Sequence, residues 1–206
     1  MRGCRVKESF ATFIERDLEL RSLVITCGLP ASYKTGIAED ILSLKRFVVL
    51  RSDLIRREVL KNEDVFDEKV AGNMNKRLSV YDEMFRRAED LASKTADGII
   101  LDATFVTQDL RERAAEIAAK YSMPFVILET SCPDEVALNR ISKRTKEKYE
   151  SNALTPEAYL SNKTKFEPVN VEALKKKYPK LTIEHLIIDT CRGGLHNLSI
   201  ITKEKR

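Results

Sequence analysis

The sequence predicts an α/β fold with a mainly parallel sheet, on the basis of three observations. Short apolar runs of strand length alternate with helical patterns along the 206 residues, as in sheets whose parallel strands are joined by helices. The run at 23–27 is of the kind expected for a strand covered on both faces. Candidate ligand residues recur after these runs, at the strand ends where open parallel sheets bind ligands. We therefore expect a single domain spanning residues 1–206.

The N-terminal segment is predicted to be helical. Within residues 8–20, apolar side chains recur at spacings near three and four, which indicates an amphipathic helix lying over the domain ahead of the first strand. These side chains are Phe10, Phe13, Ile14 and Leu18. Residues 1–21 are accordingly assigned to an N-terminal helical extension.

Strands and helices then alternate along the chain. Strands are predicted at 23–27, 47–50, 99–102, 125–128 and 186–189. Helices are predicted after residues 34, 52, 107, 133 and 155, with a long helix over about 67–95 and a short one over 171–178. Asp97-Gly98 ends the long helix by turn chemistry, Pro124 ends the next one, and Pro156 suits a first helical turn.

Composition limits the possible settings and partners. The four cysteines are scattered without a CxxC pair, so neither a metal cluster nor a disulfide framework is expected, and a reducing cytoplasm is the simpler location. No apolar run reaches the length of a signal peptide or of a membrane span, so no membrane partner is expected. Residues 140–180 hold eleven Lys or Arg against five Glu. Such a region could face the phosphates of a nucleotide or nucleic acid, or could be a solvated surface.

A phosphate-binding loop is predicted between the first strand and the helix after it. The pattern GxxxxGK[ST] is met at Gly28, Lys34 and Thr35 but fails at the second glycine, where Tyr33 stands. In such a loop, backbone amides surround phosphate oxygens, the lysine neutralises their charge and the threonine hydroxyl ligates Mg²⁺. The predicted nucleotide-binding residues are Gly28, Pro30, Ala31, Ser32, Tyr33, Lys34, Thr35 and Gly36. A strand–turn–helix that binds nothing is the alternative.

Tyr33 is the departure that bears on function. It keeps its backbone N–H, so the hydrogen bond that a glycine would give there is retained. The cost depends on whether the position needs a positive φ, which is unfavourable for a bulky residue. If its geometry is near helical, the ring can project outwards or lie against the nucleotide; if not, the loop is remodelled.

Acidic residues at two further strand ends are candidates for metal binding and proton transfer. Asp102 follows the third strand and suits a carboxylate that holds Mg²⁺ directly or through water, the alternative being a turn cap. Asp53 and Arg56 are three apart at a helix start, so they share a face. There Asp53 could accept the proton of an attacking hydroxyl while Arg56 positions the acceptor. The alternative is a local ion pair of little consequence.

Two arginines are predicted to cover the reacting phosphoryl group. Arg140 and Arg144 are four apart on one helical face, and arginines brought over a transferred phosphoryl group stabilise its charge. The same spacing is common on ordinary exposed helices. Arg51 and Arg57 are expected to be surface charges. Cys27, within the first strand, is expected to be a small hydrophobe rather than a nucleophile.

The sequence resembles the P-loop kinases often described as AAA-type ATPases, in the group that includes polynucleotide 5′-kinase, gluconate kinase and zeta-toxin kinases. The resemblance spans roughly residues 22–190 and is carried by four stretches, which are Gly28 to Thr35, Ser52-Asp53-Leu54-Ile55-Arg56, Leu101-Asp102-Ala103-Thr104-Phe105, and Asn139 to Arg144.

This resemblance implies a three-layer P-loop NTPase sandwich with a five-stranded sheet of order 2-3-1-4-5. It also implies that Asp53 is the general base, that Arg56 contacts the acceptor, and that Arg140 and Arg144 lie on a helical lid at about residues 140–165. The loop 191–194 would lie near the adenine.

The leading hypothesis is a Mg²⁺-dependent kinase that moves the γ-phosphoryl group of ATP to a hydroxyl of a small molecule or polynucleotide. Lys34, Asp53, Arg140 and Arg144 would be its catalytic residues, Asp53 and Arg56 would bind the acceptor, and Thr35 and Asp102 would bind the metal. The alternative is a nucleotide-binding regulator or adaptor in which Tyr33 weakens or prevents transfer. A nucleic-acid-binding module using residues 140–180 is a third possibility, although aromatic residues for base stacking are few there. Nucleic acid, if involved, is expected as a phosphate acceptor through its 5′ end, and no obligate protein partner is expected.

Overall fold

The computed structural model describes residues 4–64, 73–144 and 155–206. Its centre is a seven-stranded sheet with the strand order β1-β7-β6-β5-β2-β4-β3. The strands are β1 (Cys4–Ser9), β2 (Leu23–Cys27), β3 (Phe47–Arg51), β4 (Gly98–Asp102), β5 (Phe125–Ser131), β6 (Ile183–Asp189) and β7 (Ser199–Lys205). The five strands β3-β4-β2-β5-β6 are mutually parallel. Numbered among themselves, they have the predicted order 2-3-1-4-5.

Helices cover both faces of this sheet. They are α1 (Phe10–Arg16), α2 (Lys34–Leu44), α3 (Ser52–Val59), α4 (Met74–Lys94), α5 (Gln108–Lys120), α6 (Asp134–Ser142), α7 (Pro156–Lys165) and α8 (Val171–Lys177), with a 3₁₀ turn at Leu195–Asn197. The long helix expected over 67–95 corresponds to α4, while its predicted start falls outside the described residues.

Alternate residues of the central strands face two hydrophobic cores, one on each face of the sheet. In β2, Leu23 and Ile25 pack with side chains of α4, α5 and α8, while Val24 packs on the opposite face with side chains of α1 and α2. This alternation follows from the two-residue period of a strand and explains why β2 is buried along its whole length. The molecule is therefore a helix–sheet–helix sandwich, and the ends of its parallel strands lie at one edge.

Two expectations are wrong, namely the helical extension over residues 1–21 and the sheet of five strands. Residues 4–9 form a strand rather than part of a helix, and the helix that follows is confined to Phe10–Arg16. β1 pairs antiparallel with β7, which pairs antiparallel with β6, so two strands are added to the predicted five. Neither has an apolar run, and in β7 only Ile200 is buried. Charged strands near a sheet edge give no apolar signal.

None of the helices within the described ranges is long and apolar enough to span a membrane.

Candidate active site

The loop between β2 and α2 contains three residues with positive φ. They are Gly28 (142°), Ala31 (60°) and Tyr33 (71°). Alternation of left-handed and other conformations turns successive N–H groups to one side and forms an anion-binding concavity. The loop leads directly into α2, and the first N–H groups of a helix have no intrahelical acceptors and can bind an anion.

β5 fixes the position of this loop. A Cβ at Gly28 would lie 2.1 Å from Oγ1 of Thr130, so only glycine fits at this point with its positive φ. The Ser32 hydroxyl lies within hydrogen-bond distance of Thr130 Oγ1, and Thr130 Oγ1 donates to the carbonyl of Cys27 at 3.1 Å. Thr130 therefore holds both ends of the loop against the sheet.

Lys34 reaches back over the loop that it follows. Its Nζ donates to the carbonyl oxygen of Leu29 at 2.7 Å. Desolvation lowers the pKa of Lys34 to about 8, and the nearby charge of Arg144 acts in the same direction, against the opposing carboxylates of Asp102 and Asp53. A lysine held in this way gains by charge neutralisation when an anion binds beside it.

Thr35 and Asp102 meet across the end of the sheet. Thr35 Oγ1 donates to Oδ2 of Asp102 at 2.8 Å, and Thr26 Oγ1 donates to Oδ1 at 2.9 Å. Asp102 is 5% exposed. A hydroxyl and a carboxylate oxygen side by side fit the hard-cation chemistry of Mg²⁺. Among the described residues, no group of three or more His, Cys, Asp or Glu side chains could hold a metal, so a cation here would depend on water and phosphate oxygens for its remaining ligands.

Arg51 does not lie where the sequence suggested. The parallel register places it directly opposite Asp102, and its Nε lies 3.9 Å from Asp102 Oδ2. The expectation of a surface charge is therefore wrong for Arg51, because it neglected the register of β3 on β4. Arg57 is exposed, as expected.

Asp53 and Arg56 lie together on α3, as the spacing predicts. Burial raises the pKa of Asp53, while the charge of Arg56 opposes that shift. Arg56 is 8% exposed, yet its Nε and Nη1 have no hydrogen-bond partner among the described residues. Buried guanidinium donors without acceptors are costly, so an acceptor supplied from outside would satisfy them. Burial lowers the pKa of Arg56, and the charge of Arg77, on α4, acts in the same direction.

Arg140 joins two loops of the site. From α6, its Nη1 donates to the carbonyl of Ala31 at 3.1 Å. Its Nη2 donates to the carbonyls of Thr190 and Cys191, at 2.6 and 3.0 Å. The side chain thus connects the phosphate loop to the end of β6, a contact that helical spacing could not reveal.

The segment expected to form a lid packs directly on the phosphate loop. Tyr159 of α7 and Ala137 and Ile141 of α6 form a small apolar cluster with Ala31, and the Tyr159 hydroxyl donates to Asp134 Oδ1 at 2.8 Å. The expectation that Arg140 and Arg144 share one helical face is wrong, because α6 ends at Ser142 and Arg144 lies beyond it. The charge of Arg144 acts on Lys34. Residues 145–154 of the predicted lid lie outside the described residues.

The Tyr33 ring packs against the hydrophobic cluster that α1 and α2 form on one face of the sheet. Tyr33 caps α2 in the left-handed conformation, with φ 71° and ψ 23°. A Cβ at Gly36 would lie 2.2 Å from Cζ of Tyr33, and a Cβ at Gly193 would lie 3.2 Å from Cε2. The position therefore has a positive φ of the kind that favours glycine, and Tyr33 adopts this left-handed conformation although it is unfavourable for a bulky residue.

Sequence reasoning missed the residues that orient the site. Thr26 and Thr130 lie within strands, where a threonine is an ordinary β-former, so no local signal marks them. Cys27 is completely buried, and burial raises its pKa to about 12, in agreement with its expected role as a small hydrophobe.

Comparison with known proteins identifies the family. A profile described as an AAA domain matches residues 23–169. The chain belongs to this P-loop kinase-like AAA family. No curated protein matches the chain significantly in sequence.

Solved structures of similar fold include several kinases. The chain is similar to a sugar kinase from Janibacter sp. HTCC2649, with 16% identity, TM-score 0.60 and coverage of 84% of this chain and 87% of that one. It is also similar to a gluconokinase from Sinorhizobium meliloti 1021, with 14% identity, TM-score 0.58 and coverage of 86% and 87%. A structure of the PezAT toxin–antitoxin system of Streptococcus pneumoniae matches at 12% identity, with TM-score 0.54 and coverage of 97% and 75%. At these identities the likeness establishes the fold.

Proposed function

We propose that this AAA family member is an ATP- and Mg²⁺-dependent phosphotransferase acting on a hydroxyl group. The observation that carries the proposal is the hydrogen bond between Thr35 and Asp102 beside the lysine of the phosphate loop. Two oxygen atoms of the kind that Mg²⁺ prefers lie side by side there. The charge of Asp102 also acts on Lys34, whose ammonium group is suited to binding phosphate. Kinase structures of the same fold support the reaction class.

The phosphate loop and Lys34 would hold the phosphates of ATP. Loop amides and the start of α2 provide hydrogen bonds, and Lys34 would exchange the Leu29 carbonyl for a phosphate oxygen. Thr35 and Asp102 would hold Mg²⁺, which supplies neutralisation of charge on the transferring phosphoryl group. Thr26 orients the Asp102 carboxylate.

Asp53 and Arg56 would receive the acceptor. A carboxylate with a raised pKa is a better proton acceptor, so Asp53 is suited to take the hydroxyl proton as the oxygen attacks phosphorus. The unsatisfied donors of Arg56 would hydrogen-bond acceptor oxygens. Arg144, whose charge already acts on Lys34, would stabilise charge on the transferred group. Arg140 would take part from the other side of the loop, through its contact with Ala31.

The test is transfer of labelled γ-phosphate from ATP, preceded by calorimetry of Mg-ATP binding. We expect binding by the natural chain and its loss in Lys34→Ala. A panel of sugars, sugar acids, nucleosides and a 5′-hydroxyl oligonucleotide would then identify the acceptor, with Asp53→Asn as the inactive control. Binding that is insensitive to Lys34→Ala would contradict a phosphate loop. Transfer that survives Asp53→Asn undiminished would contradict the proposed base.

A nucleotide-binding regulator is the second candidate, and the position of Tyr33 favours it. The ring rests on Gly36 in the first turn of α2, where a bound nucleotide would be close. Mg-ATP binding without transfer to any acceptor, and without hydrolysis, would support the regulator over the kinase.

A further inference from the structure

The Tyr33 ring fills the gap between the start of α2 and the loop that follows β6. It lies against Gly36 so closely that no Cβ could be accommodated there, and its edge faces Gly193. The backbone of Gly194 interacts with its hydroxyl. Gly193 and Gly194 both have positive φ, 65° and 80°, so this loop adopts a conformation favoured by glycine next to the ring.

The Tyr33 ring packs with the hydrophobic cluster of α1 and α2 on one face of the sheet, whereas α3, which carries Asp53, packs through Ile55 with the cluster on the other face. Asp102 contacts Thr35, and the charges of Asp102 and Asp53 act together on Lys34. A metal and an acceptor hydroxyl would both lie at this end, so the terminal phosphate of a donor would have to point toward it. The nucleoside would then leave the loop in the other direction, past Gly36 and toward Gly193. The ring lies in that path.

We infer that Tyr33 is a donor-selectivity residue, which excludes the nucleoside while its ring is seated between Gly36 and Gly193 and admits it only when the ring has left. This inference rests on the proposed function. Tyr33 is half-buried, so rotation about its χ1 torsion can carry the ring outwards without a change in the loop backbone. The tripolyphosphate part of a ligand does not need that movement.

The seated ring lowers the apparent affinity for ATP. A ligand that binds only one conformer has its affinity reduced by the fraction of molecules in that conformer. If the open conformer is a minor state, at or below roughly 10% of molecules, the loss is about tenfold or more for ATP and absent for tripolyphosphate. The ratio of the two dissociation constants therefore measures how much the seated ring weakens ATP binding.

The experiment measures binding of Mg-ATP and of Mg-tripolyphosphate to the full chain by calorimetry. Tyr33→Gly removes the ring and suits the positive φ. Gly36→Ala keeps the tyrosine but places a Cβ where the ring sits, so it should unseat the ring. Ser122→Gly is the matched control, because Ser122 is another non-glycine residue of positive φ (52°), located after α5.

We expect the ratio of the ATP to the tripolyphosphate dissociation constant to fall about tenfold or more in Tyr33→Gly. The ratio should fall in the same direction in Gly36→Ala and stay constant in Ser122→Gly. A selective loss of ATP affinity in Tyr33→Gly would overturn the inference and make the ring a stacking surface for the base. Equal changes in affinity for ATP and for tripolyphosphate would overturn it too, because they would show that the substitution acts through the loop backbone alone.

Failure of the proposed function gives a different result. If the natural chain binds tripolyphosphate and loses it in Lys34→Ala, the phosphate loop works, and the ratio alone decides the role of Tyr33. If neither ligand binds to the natural chain, to Tyr33→Gly or to Gly36→Ala, the phosphate-binding function itself is refuted and the selectivity inference falls with it. A thermal melt of each variant confirms that the protein is folded.

Discussion

Thr35 and Asp102 are joined by a hydrogen bond of 2.8 Å that crosses from the first turn of α2 to the end of β4. The threonine hydroxyl donates its hydrogen bond to the carboxylate, so the lone pairs of its oxygen remain available to a cation. The second carboxylate oxygen of Asp102 is occupied by Thr26 at 2.9 Å. The pair is thus oriented from both sides before any cation arrives, as effective metal sites require.

Asp102→Asn should therefore strongly reduce metal-dependent phosphotransfer. The amide removes the charge that would hold Mg²⁺, and we expect the rate to fall by about 10²-fold or more. Titration of phosphotransfer with Mg²⁺ measures the effect. The matched control is Asp90→Asn, because Asp90 forms an exposed ion pair with Lys94 on α4. An unchanged Mg²⁺ dependence in Asp102→Asn would contradict the metal role.

Phosphate binding should weaken as Lys34 loses its proton. The pKa of Lys34 is lowered to about 8 in the free protein, and a bound phosphate would raise it again by favouring the ammonium form. Binding should thus take up a proton above pH 8, and affinity should fall by up to about tenfold for each further pH unit. Calorimetry in two buffers of different ionisation enthalpy detects the proton, and the uptake should disappear well below pH 8, where Lys34 is already protonated in the free protein. A phosphate affinity that stays constant up to pH 10 in the natural chain would refute the lowered pKa of Lys34.

The sequence predicted the parallel core and the phosphate loop because both depend on short stretches. The apolar runs of the five parallel strands report burial directly, and Gly28, Lys34 and Thr35 lie within a single turn region. β1 and β7 could not be found in this way. Cys4 pairs with Lys203, a partner at the far end of the chain, and neither strand has an apolar run.

The same distinction separates the site residues that were found from those that were missed. Asp53 and Arg56 are neighbours in sequence, so their shared face follows from helix geometry. Arg51 reaches Asp102 only through the register of two strands. Arg140 contacts Ala31 and Thr190, which no pattern along α6 can indicate. The left-handed backbone of Tyr33 likewise depends on the folded loop and not on the residue type.

The acid limb of the pH–rate profile should report Asp53. Burial raises the pKa of Asp53 above its ordinary value of 3.8, and a base must be deprotonated to accept a proton. Activity should thus fall as pH decreases through a midpoint above 3.8, at a higher pH than for an exposed carboxylate. Arg56→Gln should move that midpoint further up, because it removes the positive charge that opposes the shift. A midpoint that Arg56→Gln does not change would show that the acid limb does not arise from protonation of Asp53.

Arg140→Ala should weaken both stability and nucleotide binding. It leaves three backbone carbonyls without their charged donor, which we expect to cost about 2–4 kcal/mol in the free energy of unfolding. Denaturant unfolding measures that loss, and calorimetry should show weaker Mg-ATP binding because the phosphate loop is no longer joined to the end of β6.

Arg144→Ala should instead reduce the transfer rate, by about 10³-fold. A stable Arg140→Ala variant with normal binding would leave Arg140 only its predicted catalytic role.

Arg111 should prove essential for stability although it lies outside the candidate active site. Its guanidinium is completely buried and donates to the carbonyls of Phe105 at 3.0 Å and Glu167 at 2.7 Å, with a further bond to Pro168 at 3.1 Å. Replacement by methionine keeps much of the volume but leaves these buried carbonyls unsatisfied. We expect a loss of about 3–5 kcal/mol in the free energy of unfolding.

Arg113→Met provides the comparison on the same helix. Arg113 is partly exposed, pairs with Asp82 at 2.6 Å and lies over the ring of Phe85, so its replacement should cost about 1 kcal/mol. Because the contacts of Arg111 connect the segment after α7 to the start of α5, Arg111→Met should also expose Phe166 and the residues after it to proteolysis. Equal stability of the two variants in urea would show that the buried bonds of Arg111 contribute no more than a surface pair.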